Sequence, residues 1–180
     1  MGFANAVRTC FAKYVVFSGR ASRPEYWYFF LFVVILNIVA GMIDWQFFST
    51  VVSIQSETGS SFTAVSSQPV QGLVGLAVFL PHLAVAWRRM HDSGRSGYYA
   101  LLPMMLFVGA GAILLFGIGL AGTFGHGSTG DILFTRMTLL VFVPTVIILF
   151  LSPVLVLWWL TRPSQPGTNS YGPNPNEVST

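Results

Sequence analysis

The chain has 180 residues, 53% of them apolar, 15% aromatic and only 8% charged, with a mean hydropathy of +0.67. A soluble domain carries about 25% charged residues to hydrate its surface, so this composition describes a membrane protein. Nine Lys and Arg against six Asp and Glu leave a formal charge of +3, too little for nucleic-acid binding to lead. Cys10 is the only cysteine, which excludes an internal disulfide and any CxxC metal or redox framework.

In chain order, residues 1–25 form an amphipathic segment. Phe3, Val7, Cys10, Phe11, Tyr14 and Phe17 recur at three- and four-residue steps, with Arg8, Thr9 and Lys13 elsewhere. That pattern suits an interfacial helix with its apolar face in the acyl boundary and its basic residues toward anionic headgroups. No secretory signal is expected, because a polar segment precedes the first apolar run and no small-residue cleavage site follows it.

A helix crosses the roughly 30 Å hydrocarbon core in about 20 residues. Continuous apolar runs at about 26–43, 70–87, 98–121 and 137–160 approach or exceed that length. They predict an all-α membrane protein with four transmembrane helices over 26–160, the last two long enough to tilt; a barrel would need alternating strands. Ser22 and Glu25 fit a capping box opening the first span, with Pro24 tolerated in its first turn. The stretch 49–71, rich in Ser, Thr, Gln and Gly and free of Lys and Arg, reads as an exposed outer loop. Residues 161–180 form a turn-rich tail.

Orientation follows from Lys and Arg in the short flanks. Arg8, Lys13, Arg20 and Arg23 precede the first span, Arg88, Arg89 and Arg95 lie between the second and third, Arg162 follows the fourth, and Arg136 alone lies on the other side. Eight of the nine basic residues share one side if both termini are cytoplasmic. Tyr26, Trp27, Tyr28, Trp45, Trp87, Tyr98, Tyr99, Trp158 and Trp159 sit at the span ends as an aromatic belt.

Three stretches are more particular than a generic membrane protein requires: FSGRASRPEYW at 17–27, RRMHDSGRSGY at 88–98 and PGTNSYGPNP at 166–175. Together they resemble the bacterial inner-membrane domain-of-unknown-function family 805, with its F-x-G-R-x-x-R-x-E-Y-W opening, R-R-x-H-D-x-G-x-S-G-W loop and N-x-Y-G-P ending. Tyr98 stands where the family usually has Trp, Pro24 where a basic residue is frequent, and the outer loop is longer. The resemblance covers about 11–175 and implies a multi-pass protein of the bacterial cytoplasmic membrane; it supplies no catalytic residue. All three motifs fall on the side that the charge count makes cytoplasmic.

The 88–97 loop supports two readings. Arg88, Arg89, His91, Asp92 and Arg95, with Arg20 and Arg23 from the first motif, could form an anion site for lipid headgroups, a phosphate or an acidic partner. Gly94, Ser96 and Gly97 would turn backbone N–H groups toward the ligand. The simpler reading is a tight turn whose arginines obey the positive-inside rule, with Asp92 pairing an arginine and His91 packed between. Ser22, Glu25, Trp27, Tyr171, Gly172 and Pro173 are read as structural, with Tyr171 drawing the tail back onto the other two motifs to close a cytoplasmic cap.

His91-Asp92 alone could suggest a phosphohydrolase, but only His82 and His126 remain as further imidazoles, so no metal, cofactor or catalytic group is expected. His82, beside Pro81 in the second span, is expected to bond a carbonyl that the proline frees. Gly117 with Ala121 is a small-residue pair suited to close helix packing in the bundle or a homo-oligomer. The leading function is a structural or interaction module, not an enzyme, whose arginine-rich motifs bind anionic lipid headgroups or a membrane-protein partner. A small transporter or channel component is second, and an enzyme acting on lipid phosphates is third. The third reading gains if Glu25, His91 and Asp92 converge; a Glu25 paired with Arg88 or Arg95 is instead a clamp.

Overall fold

The computed structural model describes residues 1–56, 59–124 and 128–177. In chain order it contains α1 (Phe3–Ala12), α2 (Arg23–Phe48), a hairpin of β1 (Ser49–Ser56) and β2 (Gly59–Ser66), α3 (Pro69–Asp92), a 3-10 turn at Gly97–Leu101, α4 (Leu102–Phe124) and α5 (Ser128–Thr161). Three described helices are long and apolar enough to cross a membrane: Arg23–Phe48, Pro69–Asp92 and Phe142–Thr161; Gly97–Ile113 is a shorter apolar helix. Large apolar side chains point outward along them, with Phe47 and Leu76 each 75% exposed and Phe150 72%. Lipid tails, not protein, are the natural cover for such a surface.

Ser22 is extended and its hydroxyl accepts the Glu25 N–H at 3.4 Å, so α2 starts where the capping residue predicts. The reciprocal half of a capping box is absent, because the Glu25 carboxylate turns to Arg88 instead. At its far end α2 outruns the expected stop at 43. Asp44, buried inside this extension, accepts the N–H groups of Val70 at 3.0 Å and Gln71 at 2.8 Å. Those are first-turn donors of α3 with no intrahelical partner, and the carboxylate also meets the positive end of that helix. α2 and α3 are thereby fixed as antiparallel neighbours.

Between them the expected loop is a β-hairpin, paired antiparallel from Ser49 with Ser66 to Ser56 with Gly59. Thr50, Val51, Val52, Ile54, Thr63 and Val65 are β-branched residues suited to strands. Reading the segment by its polar content alone missed that signal.

α3 also outruns expectation, so Arg88, Arg89, His91 and Asp92 occupy its final turns and not a loop. Gly94, with φ +76°, ends it: the Gly94 N–H bonds the His91 carbonyl and the Arg95 N–H bonds the Met90 carbonyl, both at 3.0 Å. This is the Schellman arrangement, and glycine is the residue that accepts its left-handed position. Within α3, Pro81 lacks an N–H and frees the carbonyl of Ala77. His82 does not bond it; the Tyr14 hydroxyl donates to it at 2.5 Å.

α1 packs against α2 and α3 with Ala6 and Cys10 buried, so part of the face expected in the acyl boundary meets protein. Tyr14 and Phe17 fall beyond its end; Phe17 instead meets the Trp87 indole edge-on at 5.5 Å. The buried apolar cluster joins Cys10, Ala21, Tyr26, Phe29, Val85, Met90 and Leu160, at the end of the bundle where α2 begins and α3 and α5 finish. α4 packs along α5, which also touches α3. Gly109 and Gly111 of α4 would each meet nothing within 4 Å if given a Cβ, so they serve no close packing among the described residues. The contacts of Gly117 and Ala121, and His126 altogether, lie outside the described residues.

Candidate functional site

The cap is built around Asp92 at the C-terminus of α3. Its Oδ1 accepts Arg20 Nε–H at 2.9 Å, and its Oδ2 accepts from Arg89 Nη1 and, at 2.5 Å, from the Ser164 hydroxyl. The Arg20, Arg89 and Asp92 side chains are at most 1% exposed. Two guanidiniums on one carboxylate leave one positive charge in excess, and carbonyl oxygens surround it. Arg20 donates to Gln165 O at 2.5 Å, Gly167 O at 2.8 Å and Gly172 O at 3.3 Å. Arg89 donates to Leu160 O at 3.1 Å and to Arg162 O. The last two oxygens belong to the C-terminal end of α5, where helix carbonyls lack internal donors and the dipole is negative. Only arginine's fork of five donors can reach so many acceptors from one buried position.

A second pair lies beside the first. Arg88 Nη1 meets Glu25 Oε1 at 2.7 Å, while its Nη2 has no partner among the described residues. Cys10 adjoins this pair, and burial, reinforced by the Glu25 charge, pushes its thiol up to about 12. It is therefore a packed, unreactive thiol.

The tail is fastened at Tyr171, whose ring stacks on His91 at 3.8 Å between centroids and 6° from parallel. Gly19 O, 3.0 Å from His91 Nδ1, can only accept, so that nitrogen carries the proton. Asn169 donates from its amide to His91 O at 3.0 Å, and its Oδ1 accepts the Tyr171 N–H at 2.9 Å. Gly172 at φ +129° closes this turn against Asn169, and Pro173 follows it. On the other flank, a Cβ on Gly97 would stand 2.0 Å from Trp87 Nε1. Glycine there lets the 3-10 turn, which Ser96 precedes in extended conformation, lie flat against the indole.

The expected anion-binding residues therefore separate. Arg20, Arg88, Arg89 and Asp92 are buried and engaged with one another, with Glu25 and with the backbone, so these three guanidiniums do not face an outside anion. Arg23 is exposed and donates to Arg162 O at 2.8 Å. Arg95 lies 5.4 Å over Trp159 and Arg162 lies 4.7 Å over Trp158. Arg95 and Arg162, with Ser93, Ser164 and Gln165, border an open cleft of about 400 Å³ on the cap surface. Arg162 lies in none of the three motifs, and in the sequence it bears only on orientation. Trp27 lies away from this cleft, against Tyr26 and Phe30. Glu25 and Asp92 serve different arginines and do not converge with His91 on a common point. Among the described residues no group of three or more His, Cys, Asp or Glu could hold a metal.

A family model described as proteins of unknown function, DUF805, matches residues 14–173, from the tyrosine that bonds Ala77 to the proline after the Tyr171 turn. The chain belongs to this family. It is similar to the inner membrane protein YhaH of Escherichia coli K12, 37% identical over 118 residues that cover 66% of this chain and 87% of YhaH. It is also similar to the inner membrane protein YhaI of the same strain, 40% identical over 119 residues that cover 66% of this chain and 86% of YhaI. No solved structure matches the chain. In this DUF805 protein the residues of the three motifs interlock: Arg20 from the first and Asn169 and Tyr171 from the third all act on His91 and Asp92 of the second.

Proposed function

We propose that this DUF805 protein is a non-enzymatic, four-span interaction module of the bacterial inner membrane, with both termini cytoplasmic. Its cap offers Arg95 and Arg162 to anionic lipid headgroups. The observation that carries this reading is the division of the arginines. Three are locked inside the cap, while these two border an open cleft and lie over Trp158 and Trp159, indoles of the kind that favour the headgroup level. A guanidinium resting its face on an indole keeps N–H edges free for a phosphate, and each arginine at an anionic leaflet adds about 1 kcal/mol of attraction.

The four-span count is supported by α4 running along α5 and by the meeting of the N-terminal motif and the tail at one end of the bundle. The cytoplasmic assignment rests on the eight basic residues on that side. α1 lies at the same end, where Arg8 and Lys13 would add to lipid attraction. The non-enzymatic reading is supported by Glu25 and Asp92 each being buried and held by arginine, so that neither carboxylate faces an open site. A homo-oligomer or a membrane-protein partner would share this cap surface.

Native mass spectrometry of the detergent-purified protein with cardiolipin, phosphatidylglycerol and a zwitterionic lipid tests the proposal. The wild type retains the anionic lipids, and Arg95→Ala/Arg162→Ala loses them while keeping its melting temperature. Equal retention of all lipids, unchanged in the double variant, contradicts it.

A further inference from the structure

A second cavity, of about 540 Å³, opens on the side of the bundle between α2, α3 and the α4–α5 pair. Tyr26, Phe30, Val33, His82, Met104 and Val156 are among its walls. Phe79, Met104 and Leu157 at its edge are exposed on the outer surface, so entry is lateral, from the lipid. His82 lies six residues before Arg88, about 9 Å deeper than the cap at 1.5 Å per residue.

The imidazole is the unmatched feature. The rings of Tyr26, Phe29 and Phe30 surround it at centroid distances of 5.9, 6.3 and 6.0 Å. Its Nδ1 is buried without a hydrogen-bond partner among the described residues. The carbonyl that Pro81 frees is bonded by Tyr14 instead. Asn37, at the far end of the cavity, bonds its own helix at Val33 O, 2.9 Å away. An unmatched polar group at hydrocarbon depth is costly and marks a site for a ligand that matches it.

We propose that this cavity binds a membrane-soluble compound with a flat, carbonyl-bearing ring on an apolar tail, of the prenylated-quinone type, whose carbonyl accepts a hydrogen bond from His82. A half-turn of the ring about its Cβ–Cγ bond preserves its shape and exchanges nitrogen for carbon positions, so a neutral imidazole can turn an N–H into the cavity. The surrounding aromatic rings offer a surface for stacking or edge contact with a planar head, and the volume suits one small-molecule head. A phospholipid does not fit the same need. Its ester and phosphate groups stay at the interface, and an acyl chain reaching this depth brings only methylenes. The inference is independent of the anion cleft, which lies on the cap surface.

The test titrates the full-length protein in nanodiscs with decylubiquinone, reading tryptophan fluorescence quenching together with the imidazole nitrogen resonances of ¹⁵N-histidine-labelled protein. Binding is expected to saturate at one ligand per chain and to shift the His82 resonances. His82→Phe should weaken it at least tenfold without lowering the melting temperature, and His82→Gln, which keeps a donor, should bind more tightly than His82→Phe. Arg95→Ala/Arg162→Ala should bind as the wild type does. Non-saturable quenching with unmoved His82 resonances in the wild type overturns the proposal, and so does equal affinity in His82→Phe.

Discussion

At the cap, Asp92 holds Arg20, Arg89 and Ser164, and the carbonyls of Leu160, Arg162, Gln165 and Gly167 at the end of α5 and in the tail each accept from a guanidinium. Ten residues earlier on the same helix, His82 stands among three aromatic rings with a nitrogen that bonds nothing described. The difference lies in what surrounds each position. Near the cap, helix ends and turns present open backbone groups, so buried charge can be matched. Deeper in the bundle the helices satisfy their own backbone, and a polar side chain either turns back onto its own helix, as Asn37 does onto Val33 O, or uses a carbonyl freed by a proline, as Tyr14 does at Pro81. The usual pattern of a soluble protein is thus inverted: the best-packed region is the most charged, and the apolar region faces outward.

Removing the hub should have the largest effect. Asp92→Ala leaves two buried guanidiniums facing each other, and loss of one partner of a buried ion pair costs about 3–5 kcal/mol. Collapse of the folded yield in detergent, followed by fluorescence-detected gel filtration, is the expected result, with Asp92→Asn intermediate. Gly97→Ala comes next, since its Cβ would overlap the Trp87 indole. A loss of about 2–3 kcal/mol is expected, largely recovered in Gly97→Ala/Trp87→Leu, which opens the space; failure of that rescue would dissociate the turn from the indole.

At membrane depth, Tyr14→Phe should cost about 1 kcal/mol by leaving Ala77 O unbonded. In a Pro81→Ala background the helix regains its own N–H donor to that carbonyl, so the same substitution should cost little. A double-mutant cycle with no coupling would refute the pairing. The smallest effect concerns Glu177, whose exposed carboxylate is held below its usual range by the Gly167 N–H and then by the Asn174 amide. A depressed pKa means that this contribution is complete above the unfolded value of 4.5 and is lost as pH falls through the lower folded value. Proteolysis of the tail should therefore quicken in acid for the wild type, while Glu177→Gln should show a weaker pH response.

Helix existence and the start of α2 were legible because an apolar run and a capping serine act locally. The ends were harder. Asp44 belongs to a helix only because α3 supplies the N–H groups it caps, and the charge of 88–92 suggests a hydrated loop when a helix C-terminus can equally absorb it. Gly94 was the local sign of where α3 stops. The partnerships of Arg20 with the tail, of Tyr14 with Ala77 and of Arg162 with the cap cleft join residues more than sixty positions apart, and no spacing rule reaches them. That Arg20, Arg88 and Arg89 face inward while Arg95 faces the cleft depends on packing alone.

The division of arginines into an internal clasp and a surface pair is tested most directly by one series of thermal unfolding measurements in the same detergent: Arg20→Ala, Arg88→Ala and Arg89→Ala against Arg23→Ala, Arg95→Ala and Arg162→Ala. The account predicts losses of about 3–5 kcal/mol for the first three and about 1 kcal/mol or less for the others. Losses of similar size across all six would contradict it.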